Sequence, residues 1–167
     1  MIRREVIADI EAIRQINLAA FETPAEAGLV DTLRRDTDPF ISLVAELGGE
    51  VLGHILFTPM KQSGSPKAIR IAGLAPMAVL PSHQNRGIGS KLVEAGLQAC
   101  RAEGFEAVAV LGHHEFYPRF GFLPSTRFSL KSEYDVPEEV FMALELEPRA
   151  LEGLRGILRY HEAFGLL

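Results

Sequence analysis

Val79-Leu-Pro-Ser-His-Gln-Asn-Arg-Gly-Ile-Gly-Ser-Lys-Leu92 carries an apolar run into Pro81 and then a glycine-bearing turn that opens directly into an amphipathic helix. The first amides of a helix have no intrahelical acceptor, and the macrodipole favours an anion beside them. Gly87 and Gly89 let the backbone approach such an anion with no side chain in the way, and Arg86 can add a charge to it. The Gly-x-Gly fragment has neither the third glycine of a dinucleotide-fold fingerprint nor the Gly-Lys-Ser/Thr of a P-loop. On these residues alone, two glycines easing a tight strand-to-helix turn remain the alternative.

Working outward, Ile88, Leu92, Ala95 and Ala99 make one apolar face of a helix expected to end near Gly104, and residues 106–111 read as an apolar strand. Strand, helix, strand implies a parallel pair. Upstream, Asp9 is placed to cap a helix whose buried stripe holds Ile10, Ile13, Ile16 and Ala20, and a shorter helix is expected from Glu26 to Arg34, beyond Pro24. Residues 40–47, the turn Gly48-Gly49-Glu50 and Val51 to Phe57 read as an antiparallel hairpin. Gln62 to Lys67 is a surface loop, and Ile69 to Leu80 a long strand with an irregularity near Pro76. Segments near Arg127 to Leu130 and Val140 to Leu146 can add antiparallel strands. The fold class expected is mixed α/β: a twisted, predominantly antiparallel sheet flanked by helices, around a central parallel pair.

The chain has 167 residues, 47% of them apolar, with a net charge of −5, enough for a full core in a single domain spanning residues 1–167. Residues 148–167 read as a less regular C-terminal extension, where Gly153, Gly156 and Gly165 argue against a long final helix. The one cysteine, Cys100, sits in a helical pattern and reads as a core or boundary thiol. Without a dense Lys/Arg tract, no stable nucleic-acid partner is expected. No stretch is long and apolar enough for a membrane span and no signal-like block opens the chain, so no membrane partner and a cytoplasmic location are expected.

A second stretch, Gly112-His-His-Glu-Phe-Tyr-Pro-Arg-Phe-Gly-Phe122, follows the apolar strand. Pro118 argues for a bend in a short helical turn, with Phe120 and Phe122 as core anchors. Tyr117 is thereby held at the carboxyl edge of the parallel pair, where open α/β sheets place their ligands. Together the two stretches resemble the GNAT superfamily of N-acetyltransferases. Gln84-Asn-Arg-Gly-Ile-Gly89 matches its Gln/Arg-x-x-Gly-x-Gly/Ala acyl-CoA motif, and Tyr117-Pro-Arg-Phe-Gly-Phe122 is similar to its tyrosine-to-Gly-Phe ending. With Gly53-His54, Glu26 and Leu33, the chain is most similar to a bacterial group of small predicted N-acetyltransferases, over roughly residues 3–146.

The resemblance implies transfer of an acetyl group from acetyl-CoA to a primary amine by direct attack in a ternary complex. It implies a splayed parallel pair, with the pantetheine arm in the wedge against backbone groups of Met77 and Val79. The amides of Gln84, Asn85, Arg86, Gly87, Gly89 and Ser90 would surround the pyrophosphate. Tyr117 is implied as the proton donor to the departing thiolate, and the Met77 amide as the group that stabilises the carbonyl oxygen.

The acceptor side is less determined. The long strand supplies no carboxylate, so Glu22 and Glu26 are candidates for the acceptor site, or else solvated helix charges. His54 either lines the wedge or is a hydrogen-bonded structural histidine, and His113 and His114 either border the acceptor pocket or stand exposed. Adjacent histidines do not converge on one ion, so no metal is expected. The acceptor is a small-molecule or peptide amine, and the chain a monomer or homodimer. A non-catalytic acyl-CoA-binding module and a transferase for a longer acyl group are the competing functions.

Overall fold

The glycine turn and the apolar runs on either side of it organise the sheet. The computed structural model describes residues 1–166. In chain order the elements are β1 (Ile2–Arg4), α1 (Ile10–Ala20), α2 (Ala25–Asp36), β2 (Ile41–Leu47), β3 (Glu50–Pro59), β4 (Lys61–Ser63), β5 (Ile71–Val79), α3 (Ile88–Ala102), β6 (Ala107–Leu111), β7 (Leu123–Pro124), β8 (Leu130–Ser132), β9 (Phe141–Glu145) and β10 (Gly156–Arg159), with short 3-10 turns between several of them. Seven strands form the main sheet in the order β1-β2-β3-β5-β6-β9-β7. Only β5 and β6 run parallel in it, joined by the crossover through α3; every other neighbour is antiparallel. The mixed, mostly antiparallel sheet read from the sequence is the one observed.

Each face of the sheet carries its own core. Ile55 and Phe57 of β3, Ala72 and Leu74 of β5 and Val108 and Val110 of β6 point to one side, under Leu92, Val93 and Cys100 of α3. The period-two alternation sends Leu56, Ile71, Ala107 and Ala109 to the other side, under Ile13 of α1, Leu29, Val30 and Leu33 of α2 and a C-terminal layer of Leu151, Leu154, Leu158, Tyr160 and Phe164. Gly96 lets α3 approach β3: a Cβ there would stand 2.2 Å from Phe57 Cε1. Burial pushes the Cys100 thiol up to about 12, as befits an inert core thiol.

Three local expectations change. Gln62 and Ser63, expected in a surface loop, belong to β4 and pair with Leu158 and Ile157. Asp9 stands at the N-cap of α1 but its side chain makes no capping bond to that helix: it is buried, accepts the Val6 N–H at 2.7 Å and is gripped by Arg3 at 2.7 and 3.0 Å, which holds its carboxyl below the usual range. The segment expected as a strand near Arg127 is a 3-10 turn, Ser125–Phe128, and the strand that follows, β8, belongs to a second sheet of order β4-β10-β8. The glycines of the tail did exclude a long helix, and Gly156 opens β10 instead, pairing antiparallel with β4 and parallel with β8. No helix among the described residues is long and apolar enough to cross a membrane.

Candidate active site

The parallel pair opens partway along its length. Its register runs from Ile71 opposite Ala107 to Leu74 opposite Val110 and stops there, while β5 continues to Val79. Between Leu74 and Met77 the β5 strand carries one extra residue against β3, at the Ala75-Pro76 step, so the long strand is bulged where it parts from β6. Leu80 N–H bonds to Leu52 O, and alternation therefore turns the amides and carbonyls of Met77 and Val79 away from β3, into the opening. The Val79 carbonyl is taken by Gln84 Nε2 at 3.0 Å.

At the mouth of this wedge stands the start of α3. Gly87 is its N-cap at φ 82°, a left-handed conformation that favours glycine, and no side chain caps the helix. Lys91 N–H bonds back to Gly87 O, so Ile88, Gly89 and Ser90 contribute first-turn amides with no intrahelical acceptor. Asn85 is also left-handed, at φ 62°. The wedge widens into a cavity of about 960 Å³ walled by Leu74 to Val79 on one strand and by Leu111, Gly112, His113, Phe116 and Tyr117 opposite.

Tyr117 is held from several sides. Its ring meets Phe116 and Phe122 edge-on, with centroids 5.0 and 5.7 Å away. Gly112 makes room for it, since a Cβ there would lie 2.5 Å from Tyr117 Cε2. The residue is 6% exposed, yet it lines the cavity, and its hydroxyl makes no hydrogen bond among the described residues. Burial pushes the phenol up to about 12, which keeps it protonated at neutral pH.

The candidates read from the sequence separate clearly in space. Met77, Val79, Gln84, Asn85, Gly87, Gly89, Ser90, Tyr117, Glu26 and His113 line the cavity. Arg86, Glu22 and His114 are exposed and do not line it. His54 does not line the wedge either; it is fully buried between β2, β3 and α1. Its Nε2–H donates to Ser42 Oγ at 2.9 Å, and Asn17 Nδ2 approaches its Nδ1 at 3.4 Å. Ser42 in turn donates to Glu5, which Arg34 grips at 2.8 and 3.1 Å. This arrangement places the His54 proton on Nε2, and burial with the nearby Arg34 charge pushes its pKa down to about 3, which keeps the ring neutral.

Further residues complete the cavity wall, those from Phe21 to Arg34 in the region expected to shape the acceptor pocket and those of the C-terminal third without warning in the sequence. Arg119 lies inside the quoted tyrosine motif and stacks on the Phe116 ring at 4.8 Å. Phe21 and Leu29 come from the α1–α2 region and Tyr134, Tyr160 and Phe164 from the C-terminal third, converging on the side opposite α3. Glu26 is the one carboxylate lining the cavity among the described residues.

A splayed parallel pair, a bulged long strand and an uncapped helix start aimed into the splay are found together with a match to the acetyltransferase (GNAT) family model over residues 10–122. The chain belongs to that family. It is 34% identical over 165 residues to YhbS of Escherichia coli strain K12, described as an uncharacterized N-acetyltransferase, with 98% of both chains covered. It is 36% identical over 154 residues to YjhQ of the same organism, similarly described, with 87% of this chain and 85% of that one covered. The 1.55 Å crystal structure of YhbS in complex with CoA superposes with a TM-score of 0.91 at 33% identity, covering 99% of this chain and 91% of the other. A GNAT family acetyltransferase from Brucella melitensis in complex with acetyl-CoA gives 0.79 at 35% identity, covering 98% and 97%.

Proposed function

We propose that this protein transfers the acetyl group of acetyl-CoA to a primary amine by direct attack, with both substrates in the cavity at once. The observation that carries the reading is the outward-facing edge of β5 at Met77 and Val79, which leads from the bare start of α3 toward Tyr117. Relatives in complex with CoA and with acetyl-CoA support the choice of cosubstrate. The residues present fit that group. The amides of Asn85, Gly87, Gly89 and Ser90 offer donors to a pyrophosphate, with Arg86 as an exposed charge nearby, whereas the Gln84 amide already bonds to Pro81 O; the Met77 and Val79 amides offer strand-like partners to an extended amide-bearing arm.

When bound, acetyl-CoA supplies an activated acyl carbon on a leaving group that needs little help. The chain's own residues do the rest by placement. The free Met77 amide provides a fixed dipole for negative charge developing on a carbonyl oxygen. The Tyr117 hydroxyl, kept protonated by burial, holds the proton required by a departing sulfur. Glu26 is the carboxylate available to hold an incoming amine and draw off its proton, directly or through water, and His113 borders the same space. Co-locating amine and thioester supplies most of the rate. The acceptor is a small-molecule or peptide amine, favoured over a polyanion by the net charge of −5.

Mass spectrometry of a mixed amine panel incubated with acetyl-CoA tests this reading. We expect a selective product gaining one acetyl group, and Tyr117→Phe to lower turnover by ~10²-fold, the low end for general acid catalysis, with little loss of CoA affinity. Equal turnover of variant and parent, when chemistry limits the rate, would remove Tyr117 from the mechanism.

A further inference from the structure

Tyr160 stands where the wedge closes, and the reaction described above leaves it unused. It reaches the site from beyond β10, on the face of the sheet opposite α3. Its ring enters through the space that Gly73 leaves: a Cβ there would lie 2.6 Å from Tyr160 Cε1. Phe164 backs the ring, with centroids 4.6 Å apart. Tyr160 is only 5% exposed, yet it lines the cavity.

The hydroxyl fixes the ring in depth. It donates to the Leu74 carbonyl at 3.3 Å and accepts the Leu111 N–H at 3.2 Å. Met60 N–H bonds to Ile71 O, so alternation turns the Leu74 carbonyl toward β6. Leu74 O and Leu111 N–H are then the two groups that the last rung of the parallel ladder would join, and the phenol straddles that rung. Loss of the hydroxyl leaves the ring's packing in place, whereas loss of the ring opens the apex.

An arm extended along the free edge from Val79 to Met77, past the bulge at Ala75-Pro76, is directed at this apex. Whatever follows the thioester carbonyl therefore points at the Tyr160 ring. We propose that Tyr160 is a specificity-determining residue that stops the acyl group at acetyl size, a floor pinned between β5 and β6 by its own hydroxyl. This rests on the acyl-CoA reading above.

Calorimetric titration of the full chain with CoA, acetyl-CoA, butyryl-CoA and hexanoyl-CoA tests it, in the parent protein and in Tyr160→Phe, Tyr160→Ala and Tyr160→Leu. The parent is expected to bind hexanoyl-CoA about tenfold or more weaker than acetyl-CoA, the scale of forcing extra methylenes against a packed wall. Tyr160→Phe keeps that ratio because the ring stays. Tyr160→Ala narrows it to within about threefold while CoA affinity changes by no more than about threefold, a selective shift that general loosening would not produce. A parent ratio near one, or a folded Tyr160→Ala protein with the parent's ratio, overturns the proposal. Should the alanine variant not fold, Tyr160→Leu decides in the same way: a narrowed ratio supports the floor and an unchanged one overturns it. Failure of the parent to bind CoA or acetyl-CoA at all would instead overturn the acyl-CoA reading, and it would show before any variant was made.

Discussion

In the proposed reading, Gly87 concentrates the binding side of the site in one residue. No heavy atom lies within 4 Å of where its Cβ would stand, so steric crowding by the protein is not what demands glycine there; the backbone at φ 82° is. Glutamate at this position would be strained in its backbone and would set a carboxylate beside amides aimed at an anion. Gly87→Glu is expected to weaken CoA binding by about tenfold or more, or ~1.4 kcal/mol, while the protein stays folded. Calorimetry with CoA, alongside circular dichroism, checks both halves, and unchanged affinity would move the phosphate site elsewhere. The residues of this motif were legible in the sequence because they are contiguous: the glycines, the turn and the helix start are all local chemistry. The role of His54 was not, because an apolar strand flanking a histidine looks the same whether it faces a cavity or Ser42. Only its neighbours from β2 and α1 distinguish a wall of the wedge from a buried polar joint.

At the scale of elements, α3 packs on β3 at a close approach. The ring of Phe57 occupies the space a side chain at Gly96 would need, and Phe57 is fully buried. Helix propensity would reward Gly96→Ala by about 1 kcal/mol. Overpacking against a buried ring costs about 1–3 kcal/mol, and with a contact at 2.2 Å the upper part of that range applies, so packing wins. Gly96→Ala is expected to lower stability in a urea titration; a gain would mean that the helix slides freely over the sheet. The period-3.6 pattern found this helix and placed its apolar face on Ile88, Leu92, Ala95 and Ala99, which do pack on the core, whereas the most buried positions are Leu92, Val93, Gly96 and Cys100. The face rotated because a glycine, which scores as nothing in a hydrophobic stripe, makes the closest approach.

Over the whole molecule, pH links the buried polar joint to stability. Ser42, Asn17, Glu5 through Ser42, and Arg34 surround His54, and the group facing its second ring nitrogen is the Asn17 amide nitrogen, itself a donor. The folded value is depressed to about 3 from an ordinary 6.5, so between these limits the unfolded chain takes up a proton that the native protein refuses. Stability is full above pH 6.5 and declines as the pH falls toward 3. Asp9, held below its usual range by Arg3, adds a further loss only at more acidic pH, where carboxylates protonate. Urea titrations across this range should show the slope in the parent and a shallower one in His54→Gln, which has no ring to protonate. Identical slopes would mean that His54 titrates normally.

The sequence by itself determined the order of elements around the glycine turn, the parallel crossover, the family and the uncapped helix start at the mouth of the wedge, because each depends on residues close together along the chain. Tertiary structure decided the other end. The Tyr160 hydroxyl meets Leu74 across 86 positions, and Phe164 and Tyr134 reach the cavity from segments whose local pattern gives no hint of a shared destination. Such contacts follow from the second sheet, in which β10 settles between β4 and β8 and carries Tyr160 to the apex. Local propensity fixes which elements form; only the packing of one element on another fixes which side chains meet.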